Sequence, residues 1–79
     1  MATPNALGTI SHADIQTALT RHHSGDWGDC CADDRQANDD ALIQGGRLFS
    51  VYHSENESKF WIITEADRSA TTVLLPEDY

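Results

Sequence analysis

Positive charge is scarce in this sequence. Lysine and arginine together account for five of the 79 residues, against 13 aspartates and glutamates, and the formal net charge is -8. A surface with this bias repels phosphate groups, which argues against direct binding to DNA, RNA or an anionic membrane. The composition therefore predicts that the binding partners are basic protein surfaces.

Long apolar runs are missing too. No stretch approaches the roughly 20 apolar residues that are needed to cross a bilayer. Residues 1–10 lack the charged and apolar regions of a signal peptide, so we expect a cytoplasmic protein. Cysteine occurs only at Cys30 and Cys31. We expect both to be free thiols, because a disulfide between adjacent residues is strained and the cytosol is reducing.

Signatures of catalysis and of metal binding are also absent. The sequence contains no nucleophile elbow, phosphate-binding glycine loop, CxxC pair or HExxH motif. The adjacent cysteines and the four histidines match no standard spacing of zinc ligands. A Cys31 nucleophile served by His22 or His23 is the one enzymatic alternative, and no motif accompanies it. We therefore expect a protein that is not an enzyme and that holds no metal or cofactor.

Capping signals predict a helical segment near the N-terminus. Thr3-Pro4 is typical of a helix start, and Gly8 follows closely enough to end that helix after about one turn. Ser11 begins a second start signal, and apolar residues at helical spacing predict a helix over about 12–22. Ser24-Gly25 supplies its stop.

A second main helix is predicted from residue 32 or 33 to residue 44. Its early aspartates suit the positive end of the helix dipole, and Gly45-Gly46 ends it. Four residues are expected to form its narrow buried stripe, namely Ala37, Ala41, Leu42 and Ile43. The preceding segment, 25–31, is predicted to be a loop whose Trp27 is either pinned into the core or exposed as an interface anchor.

The chain changes character after the helices, where three apolar runs occupy 47–53, 59–64 and 71–76. Short polar connections separate these runs, which predicts a three-stranded antiparallel meander with the middle run as its central strand. The sequence thus predicts an α+β fold, two main short helices followed by this sheet, in a single domain over 1–79. Apolar residues fall on both faces of the central strand, and the helices can cover only one face. The other is left for a partner, a second copy of the chain or the N-terminal segment.

Acidic residues are concentrated between residues 26 and 40, opposed there only by Arg35. Such a group of carboxylates would compete with nucleic acid for lysine and arginine side chains. The alternative is that these aspartates are helix caps, dipole partners and an ordinary solvated surface. The charge imbalance of the whole chain favours binding, since solubility needs only a modest net charge. The predicted binding residues are Asp26, Trp27, Asp29, Asp33, Asp34, Asp39 and Asp40, assisted by Glu65, Asp67, Glu77 and Asp78.

Four motifs resemble a family of short bacterial proteins carried on plasmids, prophages and other mobile elements. They are HHSGDWG (22–28), DDRQANDDAL (33–42), GRLFSVY (46–52) and FWIITEADRSATTVLLPEDY (60–79). The chain is also similar to anti-CRISPR proteins directed at type I-C systems. This resemblance implies binding to the crRNA-guided surveillance complex, Cascade, at the basic DNA-binding surface of its backbone subunits, and blockage of target DNA binding. Cys30 and Cys31 do not belong to the family's pattern.

Two other functions fit the same sequence. One is an accessory or regulatory module of a mobile element that binds a protein partner through its sheet face, with the acidic surface serving only solubility. Its contact residues would come from the set Phe49, Val51, Trp61 and Ile63. The other is an antirestriction protein that mimics DNA in the groove of a type I restriction enzyme. In each case the chain is expected to act as a monomer or a weak homodimer.

Overall fold

The computed structural model describes all of residues 1–79 and confirms the α+β class and the meander order β1-β2-β3. The elements are α1 (Pro4–Thr9), α2 (His12–His23), α3 (Ala32–Gln44), β1 (Leu48–His53), β2 (Lys59–Thr64), β3 (Thr71–Leu74) and a 3-10 turn (Pro76–Asp78). None of the helices has the length and apolar character required to span a membrane.

The helix ends follow local capping chemistry. The Thr3 hydroxyl accepts the backbone N–H of Ala6 at 3.2 Å, and the Ser11 hydroxyl accepts that of Asp14 at 3.2 Å. α1 runs one residue past Gly8, so the predicted stop is displaced slightly. α3 ends at Gly45, whose φ of 83° lies in the left-handed region that glycine adopts without strain.

The main core lies between one sheet face and the first two helices. Tyr52, Phe60, Ile62 and Val73 form its sheet side, and all four are buried. Their partners from the helical side include Ala6, Ile10, Ile15 and Ala18. A smaller cluster lies where α3 meets β1, consisting of Trp27, Cys30, Ala41, Leu48 and Val51. The sheet thus connects α3 to the rest of the molecule.

The N-terminal segment covers the outer edge of β3. The backbone N–H of Val73 donates to the Met1 carbonyl at 2.8 Å, and the Val73 carbonyl accepts the N–H of Thr3 at 2.9 Å. These two bonds add a short parallel pairing to the sheet. The segment therefore lies along the edge of the sheet, not across its second face as one sequence-based alternative allowed. Pairing of this kind protects an edge strand from association with other chains.

The loop before α3 covers the outer edge of β1. The N–H of Val51 donates to the Trp27 carbonyl at 3.2 Å, and the N–H of Asp29 donates to the Val51 carbonyl at 2.8 Å. Gly28 stands between them with a φ of 70°. A Cβ atom at Gly28 would lie 2.0 Å from the Val51 carbonyl oxygen, so only glycine fits this close approach.

Candidate partner-binding surface

α3 is attached to β1 mainly by polar contacts. The Asn38 amide donates to the Phe49 carbonyl at 2.6 Å and accepts the Phe49 N–H at 2.9 Å, so one side chain satisfies both backbone groups of an edge residue. Asn38 is 2% exposed, and Ala41 is the only other buried residue of the helix. The inner side of α3 is therefore narrow and largely polar.

The predicted buried stripe of α3 is wrong for three of its four residues. Of its four residues only Ala41 is buried, while Ala37 is exposed. Leu42 is 56% exposed and Ile43 is 84% exposed. The physical reason is helix geometry: each residue is rotated by about 100° from the previous one, so placing Asn38 and Ala41 against β1 turns Ile43 outward.

Two arginines near α3 are bonded to backbone carbonyls. Arg35 donates through Nε to the Cys30 carbonyl at 3.0 Å and through Nη2 to the Gly28 carbonyl at 2.5 Å. Arg68, in the β2–β3 turn, donates through Nη2 to the Ala41 carbonyl at 3.1 Å. Neither guanidinium forms an ion pair, so the carboxylates of α3 are left without a neutralising side chain.

The four aspartates of α3 are exposed but do not share one face. Helical rotation places Asp33, Asp39 and Asp40 on the outer side, whereas Asp34 lies on the side of Asn38. Asp39 and Asp40 lie about one turn from Ile43, and Asp33 lies near the start of the helix. Asp39 accepts the Trp27 indole N–H at 3.2 Å, and Asp40 accepts the Gln36 amide at 3.1 Å. We use the name outer α3 surface for Asp33, Asp39, Asp40, Leu42 and Ile43.

The loop aspartates have intramolecular partners. Asp26 forms a bidentate pair with Arg21, at 2.7 Å to Nε and 3.2 Å to Nη2, and also accepts the N–H of Gly28. The hydrogen bond from Arg21 is the main reason that the pKa of Asp26 is lowered. Asp29 lies 2.7 Å from Nδ1 of His53. Both carboxylates are exposed, but neither is free of local contacts.

Trp27 belongs to the core. The residue is 4% exposed, and its ring makes an edge contact with the His22 ring at a centroid distance of 5.7 Å. The indole N–H is satisfied by Asp39. Of the two sequence-based readings, the structure therefore favours the core, and the ring is not available as an interface anchor.

The four C-terminal carboxylates are not gathered into one site. Glu65 lies 3.8 Å from Arg47, and Asp67 accepts the Ser69 N–H within the β2–β3 turn. Asp78 accepts the Thr3 hydroxyl at 2.6 Å and the Asn5 amide at 2.6 Å, which ties the two ends of the chain together. These hydrogen bonds lower the pKa of Asp78. Only Glu77 is exposed without a hydrogen-bonded partner.

A buried polar network near α2 was not predicted. Nδ1 of His22 lies 2.5 Å from the Ser50 hydroxyl, Nε2 lies 2.8 Å from the Thr64 hydroxyl, and Thr64 is 2.9 Å from the Thr71 hydroxyl. Burial, and secondarily the charge of His23, lowers the pKa of His22 to about 4. The apolar spacing of α2 indicates a buried His22, but its partners lie on distant strands. Ser50 is fully buried, so its hydroxyl is not accessible from solvent.

Neither cysteine is in a disulfide, and Cys31 is exposed. The buried Cys30 thiol donates to the Phe49 carbonyl at 3.2 Å, and burial raises its pKa. No group of three or more histidines, cysteines, aspartates and glutamates is arranged to hold a metal ion.

The second sheet face carries a shallow apolar groove of about 380 Å³. Trp61 makes edge contacts there with the Phe49 ring at 5.0 Å and the Tyr79 ring at 5.7 Å. Val51 and Ile63, which the sheet-face hypothesis also invoked, are buried. The indole N–H of Trp61 is buried and has no hydrogen-bond acceptor.

The outer α3 surface therefore combines exposed carboxylates with two exposed apolar side chains, on a helix held from behind by polar bonds. Comparison of the chain with protein-family models, with curated proteins and with solved structures found no match.

Proposed function

We propose that this protein binds a basic, nucleic-acid-binding surface on a protein partner and keeps nucleic acid from occupying it. One observation carries the proposal: Asp33, Asp39 and Asp40 are exposed on the outer α3 surface, while Arg35, the only cation of that segment, is bonded inward to two carbonyls. None of these three carboxylates is in an ion pair, and all three are presented to solvent. A lysine- or arginine-rich groove is their natural complement.

Charge acts over a distance in this mechanism. The net charge of -8 steers the chain toward a basic surface and accelerates the encounter, while local contacts determine how long the complex lasts. Exposed charges are screened over about 10 Å at 0.1 M salt. Inhibition should therefore weaken as salt is raised.

The motif resemblance suggests the target that we propose. The basic surface would then belong to the backbone subunits of Cascade in a type I CRISPR system, where occupation by this chain would exclude target DNA. A type I restriction enzyme presents a DNA groove of the same chemistry and is the alternative target. In both cases the inhibitor acts by occupation and performs no reaction.

A charge-matched pair of variants tests the location of the surface. Asp33→Asn with Asp40→Asn removes two outer carboxylates, and Glu55→Gln with Glu57→Gln removes the same charge from the β1–β2 turn. The assay measures how much protein half-blocks the binding of labelled target DNA to purified type I-C Cascade. We expect about tenfold weaker inhibition for the α3 pair and about twofold or less for the turn pair.

Three results would count against the proposal. Equal losses in the two pairs would mean that only net charge matters, not the outer α3 surface. Unchanged inhibition in the α3 pair would remove carboxylate recognition. No inhibition by the unaltered protein would reject Cascade as the target.

A second candidate is partner binding through the groove on the second sheet face. Two features of the groove favour it: the indole N–H of Trp61 is unsatisfied, and the Tyr79 ring is exposed. A partner in the groove would offer an acceptor to the indole N–H and would bury the Tyr79 ring. Apolar contact of this kind survives high salt. Inhibition that persists undiminished at about 0.5 M salt would therefore favour the groove over the outer α3 surface.

A further inference from the structure

The polarity of α3 is reversed relative to an ordinary surface helix. Its buried side carries Asn38, hydrogen-bonded to Phe49, whereas Leu42 and Ile43, its largest aliphatic side chains, are mostly exposed. Helices of small domains usually bury such residues and expose their amides. Exposed aliphatic side chains gain nothing in the free protein, and places where the usual pattern fails are often functional.

The surroundings of Ile43 define what it can meet. Asp39 and Asp40 precede it by four and three residues, so all three side chains share one side of the helix. Leu42 lies next to Ile43, at the edge of a cleft that Trp27 and Leu48 also line. An apolar tip flanked by carboxylates complements an apolar pocket with lysine or arginine at its rim.

We propose that Ile43, supported by Leu42, is the apolar anchor of the complex and enters such a pocket on the partner protein. The inference rests on the proposed function and deepens it. The partner recognised by α3 is then a folded protein surface with a hydrophobic pocket inside its basic groove, and not any polycation. Fully buried anchors surrounded by polar contacts are the usual source of interface affinity.

A second copy of the chain is a poor occupant for this surface. Self-association through α3 would bring Asp39 and Asp40 of one molecule against the same carboxylates of another, in proteins that each carry a net charge of -8. Like charges at close range oppose such a contact. The charge around Ile43 therefore favours a basic partner over a homodimer.

Ile43→Gln tests the anchor, because glutamine is a good helix former and the position is exposed. Leu7→Gln is the matched control: Leu7 is also an exposed aliphatic residue on a helix, but it lies on α1. Binding is measured to purified type I-C Cascade and, separately, to polylysine, which offers charge without a pocket. We expect Ile43→Gln to weaken Cascade binding about tenfold or more and to leave polylysine binding within about twofold. Leu7→Gln should change neither.

The outcomes separate this inference from the function on which it depends. Tight Cascade binding by Ile43→Gln would overturn the anchor and leave charge recognition standing. Absence of Cascade binding by the unaltered protein would overturn both. Loss of polylysine binding in Ile43→Gln, or a dimer of the unaltered protein that this substitution disperses, would also refute the pocketed basic partner.

Discussion

Protonation of His22 should destabilise the folded protein at mildly acidic pH. The imidazole is 2% exposed, both ring nitrogens contact buried hydroxyls, and its pKa is lowered from 6.5 to about 4, chiefly by burial and secondarily by the charge of His23. A charged imidazole in this position would lose water without gaining an anionic partner. The neutral form is therefore the one that the fold accommodates.

The sign of the effect follows from the order of titration. The unfolded chain takes up the proton near pH 6.5 and the folded chain only near pH 4, so this stabilisation is fully present above 6.5 and is lost as pH falls toward 4. At about 1.4 kcal/mol for each pH unit, the total is about 3 kcal/mol, of which about 2 kcal/mol is lost by pH 5. Small domains are stable by only about 5–15 kcal/mol, so the loss is measurable.

Urea unfolding at pH 7, 6 and 5, followed by tryptophan fluorescence, measures this loss. Trp27 touches the His22 ring and reports on the same region. The lowered pKa values of Asp26, Asp67 and Asp78 lie below 3.8, so their contributions disappear at more acidic pH, outside this window. The control is His22→Gln, which has no group to titrate at this position.

The slope of stability against pH is the quantity to compare, because His22→Gln also changes the absolute stability. We expect the wild-type protein to lose about 2 kcal/mol more than the variant between pH 7 and pH 5. Identical slopes would refute the reasoning. So would an NMR titration that places the pKa of His22 near 6.5 in the folded protein.

Two further pairs of substitutions test how the region around β1 is held. Gly28→Ala should cost at least about 2 kcal/mol in the free energy of unfolding, because the alanine Cβ would collide with the Val51 carbonyl. The control is Gly25→Ala, which has a similar φ of 85° but open space around it and should cost about 1 kcal/mol. Equal costs for the two glycines would mean that backbone conformation, not the close approach, is limiting. Asn38→Ala should cost about 2–3 kcal/mol because it removes both bonds to Phe49, whereas Gln36→Ala on the exposed side should be near neutral. A near-neutral Asn38→Ala in the same urea assay would show that polar attachment does not hold α3.

The sequence predicted most element boundaries within one or two residues. The reason is that the signals are local: Ser11 caps the amide of Asp14 three residues away, and Gly45 ends α3 because it adopts a positive φ. Runs of β-branched and aromatic residues separated by short polar turns similarly specify a meander. None of these signals requires knowledge of distant contacts.

The candidate site was predicted less well. Its concentration of carboxylates is a property of the sequence, but the partners of each carboxylate are not. Asp78 spans 75 residues to reach Thr3, and it serves to join the chain ends. Nothing in the local sequence marks it as different from the unpaired Glu77 beside it.

What the sequence alone determined is thus the order and extent of the helices and strands and the excess of negative charge, because both depend on residue types and short-range spacing. Only the tertiary structure decided which side of α3 faces inward. Asn38 is buried because the backbone of Phe49, eleven residues away, offers it both a donor and an acceptor. His22 is buried for a similar reason, with partners 28 and 42 residues distant. Once Asn38 faces β1, helix geometry turns Ile43 and the outer aspartates toward solvent.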